Sequence, residues 1–235
     1  MAASIRLFVS APLHAGARIE ATGPQAHYLR TVMRREPGNA VTLFNGADGE
    51  WLAYIAMLRR DSATLLVDRR LRPQAPEPDI WLLFAPLKRD ATDLVVQKAT
   101  ELGVAALKPV LTERAISARL NLDRLAAIAT EAAEQSERLA VPRIDQPLRL
   151  ADVLATWPTE RLLVVAIERA GAPAVTTVQG PAALLVGPEG GFAPAELDAL
   201  ARHPFVQPAT LGPRILRAET AAIVGLALLQ ARSGG

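Results

Sequence analysis

A chain of 235 residues, half of them hydrophobic, is long enough to bury a packed core in one domain or two. It contains no cysteine, which excludes disulfides, thiolate metal sites and cysteine nucleophiles, and no metal centre is expected. The net charge of +2 is unevenly spread, because residues 1–72 carry ten arginines against six acids while the remainder is net negative. Such an excess suits a polyanionic partner, since cations near phosphates gain affinity by releasing counterions. An ordinary solvated surface is the competing reading. The first twenty residues lack a basic start followed by a long apolar stretch, so the expected compartment is the cytoplasm.

Short strands are expected over residues 6–10, 40–44, 50–58 and 63–67, with one short helix over residues 27–34. Asn45-Gly46 and Asp48-Gly49 supply positive-φ positions for a hairpin turn between the second and third strands. Residues 70–78 contain Pro73, Pro76 and Pro78 and read as a stiff linker, which sets domains at 1–72 and 73–235. Strands and helices then alternate: strand 80–84, helix 91–102 with Gly103 beyond its end, strand 105–111, helix 121–139 and strand 162–167. That alternation predicts an α/β domain with a largely parallel sheet. The apolar run of residues 221–229 is about half the roughly 18 residues that suggest a membrane span, so it reads as a buried helix or a subunit contact.

Two glycine segments close the chain. An apolar strand at residues 182–186 runs into Gly187-Pro188-Glu189-Gly190-Gly191, and Pro194 then opens a helix. Apolar residues 205–211 likewise run into Leu211-Gly212-Pro213-Arg214-Ile215-Leu216-Arg217, followed by Ala218-Glu219-Thr220 and the last helix. A strand leading through glycines into a helix lets backbone approach a ligand outside the carboxyl end of a sheet. A tight structural turn is the plainer reading of either segment alone.

These motifs, together with Lys98-Ala99-Thr100-Glu101-Leu102-Gly103-Val104, Thr112-Glu113-Arg114, Glu134-Gln135-Ser136, His27-Tyr28-Leu29-Arg30 and Leu43-Phe44-Asn45-Gly46, carry a resemblance. The chain resembles the ribosomal RNA small subunit methyltransferase E family, 16S uracil-N3 methyltransferases of the SPOUT class. The resemblance implies a trefoil-knotted α/β domain with a parallel sheet, preceded by a small PUA-like β-barrel domain that binds RNA. It implies S-adenosylmethionine as cofactor, N3 of one uridine (uridine 1498) of 16S ribosomal RNA in the small subunit as target, and a homodimer with the last helix at the interface. It also implies that backbone around Leu211, Gly212, Ile215 and Leu216 holds the adenine, while Gly187, Gly190 and Gly191 line the other side.

The residues themselves favour such a ligand over a phosphate-rich one. There is no G-x-x-x-x-G-K-[ST] and no G-x-G-x-x-G after a strand. Phe192 offers an apolar wall, and Glu189 would repel a phosphate but tolerate a sulfonium. Arg214 and Arg217 are candidate catalytic groups, because a permanently charged guanidinium can stabilise the imide anion that uracil N3 must become. Pairing of Arg217 with Glu219 or Glu189 is the structural alternative, and capping of the last helix is expected of Glu219 and Thr220. Candidates for RNA contact are Arg6, His27, Arg30, Arg34 and Arg35 near Tyr28, then Lys88, Arg114, Gln135 and Arg138, with Arg89, Lys98 and Thr112 behind them. Arg30 and Arg34 would share a helix face. Ala193, Ala115 and Glu137 depart from the family pattern, the first at the expected cost of a helix cap. A methyltransferase acting on another RNA position and a non-catalytic RNA-binding assembly factor remain open.

Overall fold

The computed structural model describes residues 5–115, 119–167, 172–178 and 180–231. They form two units: residues 1–76 with 133–141, and residues 77–132 with 142–235. No helix among the described residues is long and apolar enough to cross a membrane.

The first unit is a mixed sheet in the order β1-β3-β4-β5-β2, built from β1 (Arg6–Phe8), β2 (Arg18–Ala21), β3 (Ala40–Phe44), β4 (Glu50–Leu58) and β5 (Ala63–Arg72). Alternation turns Ile19, Val41, Leu43, Ala53, Ile55, Leu65 and Val67 into one core, since successive strand side chains face opposite ways. Strands 40–44 and 50–58 appear where expected, whereas β5 runs on to Arg72 and shortens the linker. The turn into β4 has Gly46 at φ 82° and Gly49 at φ 86°; a Cβ on Gly49 would lie 2.3 Å from the Arg72 carbonyl oxygen.

The helix expected over residues 27–34 lies earlier. Helix α1 (Gly23–His27) starts where the Gln25 side chain accepts the Thr22 amide, and a π turn (Tyr28–Val32) follows it. Arg34 falls beyond the turn in the left-handed region at φ 50°, so Arg30 and Arg34 do not share a helix face.

The first unit's charge cluster is buried and centred on Arg6. Its Nε donates to Glu50 Oε1 at 2.8 Å, and its two terminal nitrogens donate to the carbonyls of Ala133, Glu134 and Arg138. Arg72 completes the pair on Glu50, and its Nη2 donates to the Glu137 carbonyl. The Phe8 amide donates to Glu134 Oε1. The Glu134-Gln135-Ser136 motif is therefore tied down by an arginine more than a hundred positions away. Helix α3 (Leu122–Gln135) stops short of the expected residue 139, and Glu137 adopts φ 60°, a left-handed position for which glycine is better suited.

The second unit is a parallel sheet in the order β12-β10-β11-β6-β7-β8, with β9 paired to β7. Its strands are β6 (Ile80–Phe84), β7 (Ala106–Leu111), β8 (Arg143–Ile144), β9 (Leu148–Arg149), β10 (Leu162–Ala166), β11 (Ala182–Val186) and β12 (Val206–Ala209). Unbroken apolar runs such as residues 182–186 are buried on both faces, as a parallel sheet requires. Leu83, Leu163, Val165, Ala183 and Leu185 pack with Leu150, Val153 and Leu154 of α4 (Leu150–Ala155) and Leu200 of α5 (Pro194–Ala201). On the other face α2 (Arg89–Glu101) and α6 (Ala218–Gln230) pack, the latter by setting Gly225 against Leu184. Gly103 takes φ 80° just past α2, as its position predicts.

Burial raises the proton affinity of Glu50, but hydrogen bonds from Arg72 and Arg6 outweigh it and hold the carboxyl below its ordinary value of 4.5. The ion pair therefore stabilises the fold fully above that value, and its contribution is lost as pH falls through the depressed one. Glu50→Gln leaves Arg6 buried without its counter-charge and is expected to cost about 3 kcal/mol near neutral pH. In urea denaturation the gap between wild type and variant should shrink steadily below about pH 4.5.

Candidate functional site

Strands β10, β11 and β12 run parallel and end level, with Ala166 opposite Val186 on one side and Ala209 on the other. β10 has β11 on one flank and β12 on the other, so the strand order reverses there, the place where open α/β sheets bind ligands beyond the strand ends. A cavity of about 460 Å³ occupies that place. Its walls are Ala166 and Ile167 after β10, residues 186–189 with Gly191 and Phe192 after β11, Leu197 of α5, residues 210–212 and 214–217 after β12, and Ala218 and Ala221 of α6.

The two glycine segments thus meet, and each glycine has its own reason. Gly191 sits at φ 67° and Gly212 at φ 129°, backbone that other residues rarely adopt. Thr210 Oγ1 holds the second turn by donating to the Gly212 carbonyl at 3.1 Å and accepting its amide at 3.3 Å. Gly187 is small for a packing reason, since a Cβ there would come within 3.0 Å of the Phe192 ring. Gly190 is outside the lining, and its α-carbon faces the Arg114 side chain instead.

Of the expected cofactor residues, Gly187, Glu189, Gly191, Leu211, Gly212, Ile215 and Leu216 line the cavity, as do Arg214 and Arg217. Glu189, Arg214 and Arg217 are exposed, and among the described residues neither arginine side chain makes a hydrogen bond or ion pair, so the clamp with Glu189 or Glu219 is not formed. Arg217 occupies the cap position of α6, with Glu219 and Thr220 already inside the first turn, which corrects their expected cap position but leaves Glu219 where an acid meets the positive end of the helix. No side-chain oxygen caps that terminus, and Ala218 brings it to the cavity wall, where its amides and dipole favour negative charge. His203 stacks on Phe205 at 4.8 Å and is not part of the lining.

Ala166, Ile167, Leu197 and Thr210 escaped the sequence reading, because an apolar strand end carries no local sign that a ligand site lies beyond it. Glu196 escaped too, although a glutamate three residues after a helix cap is a recognised signal. Its Oε2 accepts the Ala193 amide at 2.8 Å, so the capping half that comes from within the helix survives where Ala193 offers no oxygen. Its Oε1 accepts the Glu113 amide at 2.9 Å. Arg114 Nη1 donates to the Gly190 carbonyl at 2.9 Å and reaches that of Phe192 at 3.5 Å.

The remaining candidates for RNA contact separate by burial. Arg6 and Arg138 are both 8 % exposed, and every terminal nitrogen of Arg6 is spent on a carbonyl, so their expected contact with RNA is corrected to a structural role. His27, Arg30, Arg34, Lys88 and Gln135 are exposed, and Arg35 is half-buried. Lys88 caps α2, an unfavourable place for a cation unless something negative joins it.

A family model described as an RNA methyltransferase domain matches residues 74–230, and one described as an RNA methyltransferase PUA domain matches residues 21–68. A ribosomal RNA small subunit methyltransferase E of Rickettsia conorii is 32% identical over 229 residues, covering 94% of this chain and 93% of the relative. The chain belongs to the ribosomal RNA small subunit methyltransferase E family. Among solved structures, the Neisseria gonorrhoeae member bound to S-adenosyl methionine superposes with a TM-score of 0.87 at 30% identity, covering 96% of both chains. A methyltransferase from Legionella pneumophila in complex with the bound cofactor SAM gives a TM-score of 0.87 at 29% identity over 97% of both chains. The parallel α/β domain and the PUA-like domain expected from sequence are thus the family's own.

Since Ala193 leaves the start of α5 without a side-chain acceptor, Ala193→Ser should raise stability by about 0.5–1 kcal/mol in thermal unfolding.

Proposed function

We propose that the cavity binds S-adenosylmethionine and that the chain methylates N3 of a uridine, uridine 1498 by resemblance, in 16S ribosomal RNA of the small subunit. The observation that carries this reading is the meeting of both glycine segments around one cavity, with two arginines on its wall whose side chains have no partner among the described residues. The residues fit the cofactor: the volume lies within the roughly 300–1,000 Å³ usual for small-molecule sites. Ile167, Phe192, Leu211 and Leu216 supply apolar walls for an adenosine, and the Glu189 carboxylate supplies charge complementary to a sulfonium. When bound, S-adenosylmethionine supplies the electrophilic methyl carbon.

The chain's own residues must do the rest. Uracil N3 is a weak acid, and its lone pair becomes available once the proton has left to solvent. Arg214 and Arg217, permanently protonated, hold the negative charge that develops on the base oxygens. The first turn of α6, which no side chain caps, adds to the same field. Alignment of base and donor in one crevice supplies further rate without a dedicated histidine. His27, Arg30 and Arg34 of the first unit, with Lys88 and Gln135, are the exposed groups that this reading assigns to RNA.

The reading extends to chain path and assembly. After β10 the chain pairs at Ala174 with Thr210, and the Val178 amide donates to the Leu229 carbonyl at the end of α6, before β11 begins. That crossing supports the rare trefoil knot of the SPOUT class. The exposed Leu228 of α6 supports a homodimer contact along that helix.

Transfer of labelled methyl from S-adenosylmethionine to small ribosomal subunits lacking the mark, followed by nucleoside chromatography, should place label in 3-methyluridine. Label in another nucleoside would overturn the assigned target, and no cofactor binding with intact RNA affinity would favour a non-catalytic assembly factor. Arg217→Ala should lower kcat by about a hundredfold while leaving cofactor affinity within about twofold, as expected for a group that acts on developing charge.

A further inference from the structure

We propose that Arg114 and Glu196 are positioning residues that hold the glycine loop of residues 187–192 in its ligand-ready shape, and that Arg114 does this in place of contacting RNA. The proposal rests on the cofactor reading above and adds the residues that preorganise its site. The loop cannot hold its own shape: its internal backbone bond runs from the Gly191 amide to the Pro188 carbonyl at 2.8 Å, and Gly191 stands at φ 67°. A loop with two adjacent glycines has much backbone freedom to lose. What restrains it comes from the segment that follows β7, where the Ala115 amide closes a turn on the Thr112 carbonyl.

From that turn Arg114 spans the loop, with Nη1 on the Gly190 carbonyl at 2.9 Å and reaching the Phe192 carbonyl at 3.5 Å. The aliphatic part of Arg114 lies in ordinary contact range of where a Gly190 Cβ would sit, at 3.5 Å, so side chain and loop are packed as well as bonded. One residue further on, the Glu196 carboxylate joins the same two segments by accepting the Glu113 amide with one oxygen and the Ala193 amide with the other. Each of these bonds involves a charged partner, the class that contributes most in hydrogen bonding. Neither side chain reaches the cavity itself, but Pro188, Glu189, Gly191 and Phe192, which they bracket, form one of its walls.

The consequence is specific. Without the strut a ligand must order the loop on binding, and that cost appears in affinity, not in the chemical step. Wild type, Arg114→Ala, Arg114→Lys and Glu196→Gln should be titrated with S-adenosylmethionine by calorimetry, assayed for kcat at saturating cofactor, and tested for binding to small ribosomal subunits. Arg114→Ala should weaken cofactor binding about tenfold or more, with kcat at saturation and subunit affinity unchanged. Arg114→Lys, one ammonium in place of a fork, should recover part of the loss, and Glu196→Gln, which keeps one acceptor of two, should lie between wild type and Arg114→Ala. Unchanged cofactor affinity with weakened subunit binding in Arg114→Ala would overturn the strut and return Arg114 to RNA contact. Absence of cofactor binding in wild type would overturn the cofactor reading, and the strut with it; binding by wild type that Arg114→Ala leaves intact overturns the strut alone.

Discussion

Helix α6 can lie against strand β11 because residue 225 has no side chain. A Cβ there would stand 2.6 Å from Leu184 Cδ2 and 3.4 Å from Leu211 Cδ2, so the three elements share one contact. This close approach brings the amino end of α6 beside the β12 loop and the carboxyl ends of β10 and β11. The wall of the cavity on the α6 side follows from that placement. Leu211 is packed below, residues 214–217 cross the opening, and Ala218 and Ala221 close the wall. The general rule that ligands bind outside strand ends where a sheet changes direction is obeyed here by a specific steric allowance.

The cavity wall contributed by the β11 loop is fixed differently. Gly187 yields to the Phe192 ring, and Arg114 and Glu196 reach the loop from outside the cavity. One wall is therefore set by packing, and the other adds charge-assisted bonds to packing. Charge spent on structure and charge left unpaired lie in different places among the described residues. Arg6 and Arg72 share the single Glu50 carboxylate in the first unit, whereas the side chains of Arg214 and Arg217 stand on the cavity wall with no partner among the described residues.

Much of this was legible in the sequence, and the reasons for the gaps are physical. Unbroken apolar runs such as residues 182–186 and the alternation of residues 40–44 gave their strands, since burial on two faces or one leaves those patterns. Strand β2, the two-residue strands β8 and β9, and the six-residue helix α4 are too short to carry a period. The end of α3 was misplaced because a glutamate in the left-handed region does not look like a stop. The glycine segments marked the cavity, yet Gly190 faced Arg114 and Gly187 faced Phe192, which no local pattern distinguishes from facing a ligand. Arg6 was read as part of a basic surface because its partner Glu50 lies 44 positions away and becomes its neighbour only through strand pairing.

On the proposed function, the two glycine segments form a single binding site for S-adenosylmethionine. Backbone amide resonances followed through a titration with that cofactor test it most directly. The expected result is that residues 187–192 and 210–218 shift together, with one affinity, while residues 40–58 of the first unit stay still. Shifts confined to one loop, or centred on another part of the chain, would contradict it.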